Sequence, residues 1–142
     1  MEDTQSCTFC SYRERTVLVH QDNLCYAVVS TNPINRYHLL VIPNEHFVNF
    51  VELPDEVAAR VFLVAKGLSA AVRRVCRPDA VTHISDDDLT GKGFNLIPHY
   101  KLHIIPRFLS DDVKIDWGRE ADPGMQVRAG YATEIKVALA AN

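Results

Sequence analysis

Over the first forty-odd positions the apolar residues come in short runs separated by turn-forming ones, a strand pattern rather than a helical one. Thr16-Val17-Leu18-Val19 and Leu24-Cys25-Tyr26-Ala27-Val28-Val29 predict two strands, with His20-Gln21-Asp22-Asn23 as the turn between them. Thr31-Asn32-Pro33-Ile34-Asn35 breaks the chain, and His38-Leu39-Leu40-Val41-Ile42 predicts a third strand stopped by Pro43-Asn44. The period then changes. Val57, Val61, Val64, Leu68, Val72 and Val75 recur at helical spacing after Pro54-Asp55-Glu56, whose proline and acids suit a first turn. Arg73 and Arg74 suit the other end of the dipole, and Pro78 closes the helix. Ala80 to Ser85 predicts a fourth strand, 98–105 a fifth, and Met125 to about Leu139 a second helix. Apart from the connection holding the long helix, the connections are too short or too turn-like for parallel crossovers, so the pattern predicts an α+β fold with a five-stranded, mostly antiparallel sheet.

Within the fifth stretch, period-two alternation puts His99, Lys101 and His103 on one face and Tyr100, Leu102 and Ile104 on the other. Alternate residues stand roughly 6.6 Å apart, so three nitrogen-bearing groups would form a row about 13 Å long. Such a row suits phosphate or metal chemistry.

At 142 residues, 47% hydrophobic and 23% charged, the chain is expected to form a single domain over 1–142. Its core is expected at about 7–107, with an extension over 108–142. A net charge of -3 offers no general footprint for a nucleic-acid polymer. No apolar run approaches the ~18 residues of a membrane span, and the acidic start lacks a signal core. The expected location is therefore cytoplasmic, where cysteines stay reduced. Cys25 and Cys76 are expected to pack in the interior, whereas Cys7 and Cys10 form a Cys-x-x-Cys pair.

Cys7-x-x-Cys10, His38-Leu39-Leu40-Val41-Ile42-Pro43-x-x-His46 and His99-x-x-x-His103-Ile104-Ile105-Pro106-Arg107 together resemble the histidine triad (HIT) family, in the right order over roughly residues 7 to 107. The resemblance implies a small α+β fold, usually a homodimer. It also implies binding of nucleotides and hydrolysis or transfer of nucleoside monophosphates through a nucleotidylated middle histidine. Here that middle position is Lys101. Leu96 stands where a serine or threonine is usual, and Ser30-Thr31 where the family tends to place a ribose-binding aspartate.

Cys7, Cys10, His46 and His99 make a Cys₂His₂ set suited to structural zinc, which the resemblance supports. Plain thiols are one alternative; a redox pair is the other, although the βαβ context it wants is missing. The resemblance makes Lys101, His103 and His38 the candidate catalytic residues, and with Asn95 they are expected to contact phosphates. Tyr26 and Val28 would bound the base. A lysine near its ordinary pKa is an ammonium with no lone pair, so Lys101 is expected to bind an anion rather than attack phosphorus. Asp86-Asp87-Asp88 is expected to be solvated and Gly91-Lys92-Gly93 to be a turn, with no role assigned to His20 or His83. Trp117 could cover a pocket or an interface. The resulting expectation is a zinc-stabilised nucleotide-binding protein impaired in the family's chemistry. An active hydrolase or transferase with a replacement nucleophile and a non-catalytic scaffold are the alternatives.

Overall fold

Asp22 builds the first corner of the sheet. In the computed structural model, which describes residues 7–12, 14–87, 97–114 and 121–141, strand β1 (Leu18–Gln21) turns back into β2 (Cys25–Val29). Asp22 Oδ1 accepts from the backbone N–H of Leu24 (2.8 Å) and Cys25 (2.9 Å), while Oδ2 accepts from His20 Nε2 and Arg60 Nε, each at 2.7 Å. Burial pushes this carboxyl up, but the four donations outweigh it and hold the group well below the usual carboxylate range. Asp22→Ala is therefore expected to cost about 2 kcal/mol, seen in denaturant melts. A melt within ~0.5 kcal/mol of wild type would show that the latch contributes nothing.

β3 (Leu39–Pro43) pairs antiparallel with β2, and β5 (Leu102–Arg107) lies between β3 and β4 (Ala80–Ile84), antiparallel to both. The five strands run β1-β2-β3-β5-β4. Between β3 and β4 comes α1 (Asp55–Cys76), which packs on one face of the sheet. Its buried residues are Val57, Val61, Val64, Ala65 and Val72, one helical stripe. The helix ends at Arg77, which takes a left-handed φ of 45° just before Pro78. Val75, placed on the stripe by sequence, is exposed. A second helix, α2 (Met125–Ala140), matches the predicted one and buries none of its residues. No helix among the described residues is long and apolar enough to cross a membrane.

The core lies on both faces of the sheet. Ala27, Leu39, Val41, Tyr100, Leu102 and Ile104 meet α1, while Phe9, Tyr26, Val28, Leu40 and Ile42 pack on the opposite face. Double burial explains why β3 reads as an unbroken apolar run.

Two boundaries differ from the sequence expectation. β1 begins at Leu18 and takes in His20 and Gln21, which the sequence assigns to the turn. β5 begins at Leu102, not at 98. Pro98 has no N–H to give, His99 N–H donates to Ile97 O (2.7 Å), and Tyr100 N–H donates to Phe47 O. His99 and Tyr100 thus spend their backbone donors outside the ladder. The alternation survives: Tyr100 still faces α1, and His99 and Lys101 still face the other way, toward Phe9.

Candidate metal cluster and ligand cavity

The ring of His99 is the hub of the first cluster. It is fully buried, and its Nε2–H donates to Pro43 O at 3.0 Å. That bond commits the neutral ring's proton to Nε2 and turns a bare Nδ1 toward both cysteine sulfurs, each 3.5 Å away. His46, just beyond β3, brings its Nδ1 to 3.2 Å from Cys10 Sγ. The four ligand atoms of Cys7, Cys10, His46 and His99 lie within 4.8 Å of one another. A tetrahedral zinc with bonds of about 2.0 and 2.3 Å holds sulfur and nitrogen ligands about 3.5 Å apart, which matches the two 3.5 Å separations. The donor set and the oriented ring therefore fit a metal ion. Burial, with Cys7 alongside, pushes the Cys10 thiol up to about 11. Burial also pulls His99 down to about 4 against its bond to Pro43. Both side chains are thus neutral near pH 7, and a cation would have to displace the thiol proton.

The second cluster sits on the same face of the sheet. A cavity of about 410 Å³ is bounded by Phe9, Ser30, Thr31, His38, Lys101 and His103, among others. Lys101 is 7% exposed, and its Nζ donates to Ile97 O (3.0 Å) and His99 O (3.1 Å), 5.2 Å from the centre of the Phe9 ring. These carbonyls belong to the stretch whose backbone left the ladder, so the ammonium satisfies acceptors that a regular strand would not have exposed. Burial pulls Lys101 down to about 8, with Cys7 opposing.

His38 and His103 form a buried pair, with His38 Nε2 2.9 Å from His103 Nδ1. Burial pulls His38 down to about 4 and His103 to about 3, so both are neutral imidazoles near pH 7. A larger groove of 780 Å³ runs beside the cavity, floored by Ile84 and Ile105 and rimmed by Arg107 and Asp111. Its arginine is spent on Asp111 through two bonds of 3.0 and 3.1 Å. The smaller cavity, where Lys101 and the imidazoles converge, is the candidate ligand site.

Of the sequence candidates, the structure gathers the four candidate metal ligands in one place and Lys101, His103 and His38 in the other. Ser30 and Thr31 line the same cavity. Tyr26 and Val28 do not: Tyr26 stacks on Tyr12 and its hydroxyl donates to Phe9 O (2.8 Å), beside a separate recess, and Val28 is packed in the core. Asn95, Leu96, Asp88, Gly91-Lys92-Gly93 and Trp117 lie outside the described residues. Asp87 accepts from Phe50 N–H, and His83 meets Ser69.

The sequence did not point to Phe9, Asn35 or Asp111. Phe9 sits inside the Cys-x-x-Cys pair and walls the cavity. Asn35 donates to Pro106 O and to Asp111 Oδ2, contacts 71 and 76 residues away along the chain. The one available hint was the opposite charge of Arg107 and Asp111 four positions apart.

The HIT domain family pattern matches residues 13–109. An uncharacterized HIT-like protein of Borreliella burgdorferi is 31% identical over 109 residues, 74% of this chain and 78% of that protein. A histidine triad nucleotide-binding protein from Candida albicans superposes with a TM-score of 0.80 at 19% identity, over 95% of this chain and 98% of that one. A Zn-bound histidine triad family protein from Mycobacterium smegmatis superposes with a TM-score of 0.68 at 24% identity, over 83% of this chain and 86% of that one.

Proposed function

Since this chain belongs to the HIT family, we propose that it binds a nucleotide or another small phosphorylated ligand in the cavity of Lys101, His103 and His38, without efficient nucleotidyl transfer. The observation that carries this reading is how the nitrogens are spent. Lys101 Nζ is a donor to two carbonyls, and His103 Nδ1 lies at 2.9 Å from His38 Nε2. His38 Nδ1 accepts from Ile34 N–H at 3.0 Å, so the proton between the two rings belongs to His38. The only lone-pair nitrogen of His103 therefore already accepts a hydrogen bond. A nucleophile needs a lone pair aimed at phosphorus, whereas these groups suit an anion. Asn95 would join them at the phosphates. Tyr26 and Val28 would support the base side from behind Phe9.

Zinc is the metal proposed for Cys7, Cys10, His46 and His99, a reading supported by the fit of the donor set and by the Zn-bound relative. Four protein ligands close a tetrahedron and leave no position for a reacting water, so the ion's part would be structural. It would tie the N-terminal segment to the end of β3 and to the stretch before β5. The proposed assembly is a homodimer, in keeping with the exposed apolar residues of α2 such as Met125, Ile135 and Leu139. A cytoplasmic location is in keeping with four unbonded cysteines.

Calorimetric titration with AMP, GMP and ADP tests the binding. At a ligand concentration a hundredfold above its dissociation constant, the protein should gain about 2.7 kcal/mol of stability. Lys101→Ala should weaken that binding at least tenfold, with little turnover of a fluorogenic adenosine phosphoramidate by either protein. No stabilisation by any nucleotide would turn the reading to a scaffold. Turnover abolished by Lys101→Ala would turn it to an active transferase, and Lys101→His asks whether the remaining site supports the family reaction.

A further inference from the structure

The loop from β2 to β3 brings a backbone N–H to the rim of the His38 ring. Ile34 N–H donates to His38 Nδ1 at 3.0 Å. A backbone N–H can only donate, so Nδ1 carries no proton, and a neutral His38 holds its proton on Nε2. That N–H points its bond at His103 Nδ1, 2.9 Å away. His103 in turn keeps its proton on Nε2. One amide thus decides the tautomer of two rings.

The loop does not take this shape unaided. Tyr37, directly before His38, has a φ of 62°, a left-handed conformation that a bulky side chain disfavours. Main-chain bonds from Ser30 N–H to His38 O (2.9 Å) and from His38 N–H to Asn35 O (3.2 Å) close the loop on itself. Its tie to the rest of the molecule includes the half-buried side chain of Asn35, whose Nδ2 donates to Pro106 O at 3.1 Å and to Asp111 Oδ2 at 3.0 Å. Asp111 is rigid. It also accepts from Arg107 Nε and Nη2 and from the backbone N–H of Phe108 (2.8 Å) and Val113 (3.2 Å).

We propose that Asn35 is a positioning residue that fixes the tautomer of the His38–His103 pair, so that His103 meets a ligand as a hydrogen-bond donor. Asn35 acts through the neighbouring Ile34 amide, and Asp111 holds Asn35 in place. The ligand half of this statement rests on the anion-binding reading above; the tautomer half does not. Burial keeps both rings neutral, so the donor is an N–H of uncharged imidazole rather than of imidazolium. The matching ligand chemistry is a deprotonated phosphate oxygen.

Long-range ¹H–¹⁵N spectra of the histidine rings, recorded on the zinc-loaded protein, test this. Wild type should show His38 and His103 both as the Nε2–H form. Asn35→Ala should move their ring nitrogens toward the averaged shifts of exchanging tautomers. Asn35→Asp keeps the size but sets an acceptor against the Pro106 carbonyl and the Asp111 carboxylate, and should do the same. Asn49→Ala, which removes another turn-capping asparagine, should leave both rings unchanged. AMP binding should weaken roughly tenfold in both Asn35 variants. The proposal is overturned by a wild-type His103 carrying its proton on Nδ1, or by unmoved ring nitrogens in folded Asn35 variants. It is also overturned if Asn49→Ala moves them equally, or if both Asn35 variants fail to fold, which would make Asn35 a residue of the framework alone. Wild type with the expected tautomers and no affinity for AMP would leave Asn35 in its role and remove the nucleotide reading instead.

Discussion

Replacing Cys7 by serine is expected to empty the cluster of zinc and to lower the melting temperature by roughly 10 °C. The cluster depends on sulfur. His99 already aims Nδ1 at Cys7 and Cys10, 3.5 Å from each, and a serine hydroxyl at position 7 is a far poorer zinc ligand than a thiolate. If zinc binds only the folded chain, an ion at a thousandfold its dissociation constant contributes about 4.1 kcal/mol. A chain of this size loses roughly 2–4 °C per kcal/mol, which sets the size of the shift. Elemental analysis should find close to one zinc per wild-type chain and well below that in Cys7→Ser. A strong chelator should bring the wild type down to the variant and leave the variant where it was. Equal zinc content with melting points within a degree or two of each other would sink the metal reading.

The second large effect is on pH. His38 and His103 are held at about 4 and about 3, below the ordinary value of 6.5, because burial disfavours their charged forms. In the unfolded chain both take up a proton near pH 6.5, so below that pH the unfolded state binds more protons than the folded one. The stability this pair contributes is full above pH 6.5 and declines as pH falls from there toward 4. Each histidine alone would lose about 1.3 kcal/mol between pH 7.5 and 5.5, and the pair about 2.5 kcal/mol. Urea melts across that range measure it. Cys7→Ser, stripped of the metal contribution, should keep this part of the slope. A flat profile in that variant would mean the two rings are not buried as neutral imidazoles.

Much of this was legible in the sequence, for reasons that can be stated. α1 announced itself through valines four apart and through the charges at its ends, all local signals. The strands came from short apolar runs, and α2 came within a residue of its predicted end. The start of β5 was not legible, since it depends on Phe47 O taking the N–H of Tyr100 from far along the chain. Yet the face assigned to His99, Lys101 and His103 was right, because alternation persists through an extended chain with or without a ladder. Cys7 and His99 meet across 92 positions, and only their place in a known spacing linked them. Asn35 and Asp111 had no such spacing, and side-chain bonds spanning 76 positions leave no periodic trace. Tyr26 sits on the expected face, but its hydroxyl is committed to Phe9 O.

The order β1-β2-β3-β5-β4 also governs when the molecule comes to exist. β5, the last of the five described strands to leave the ribosome, supplies the only sheet partner of β4 among the described residues and the second partner of β3. A nascent chain can close the β1–β3 meander early, but β4 must wait. Inserting β5 demands closure of loops some sixty residues long between Leu40 and His103, a non-local step that slows folding. Until then the apolar flank of β3 is an open edge, a hazard for association with other unfinished chains. His99, Lys101 and His103 ride in on that same segment. The cysteine–histidine cluster and the cavity of Lys101 are therefore born together, late in folding, and a half-made chain has neither.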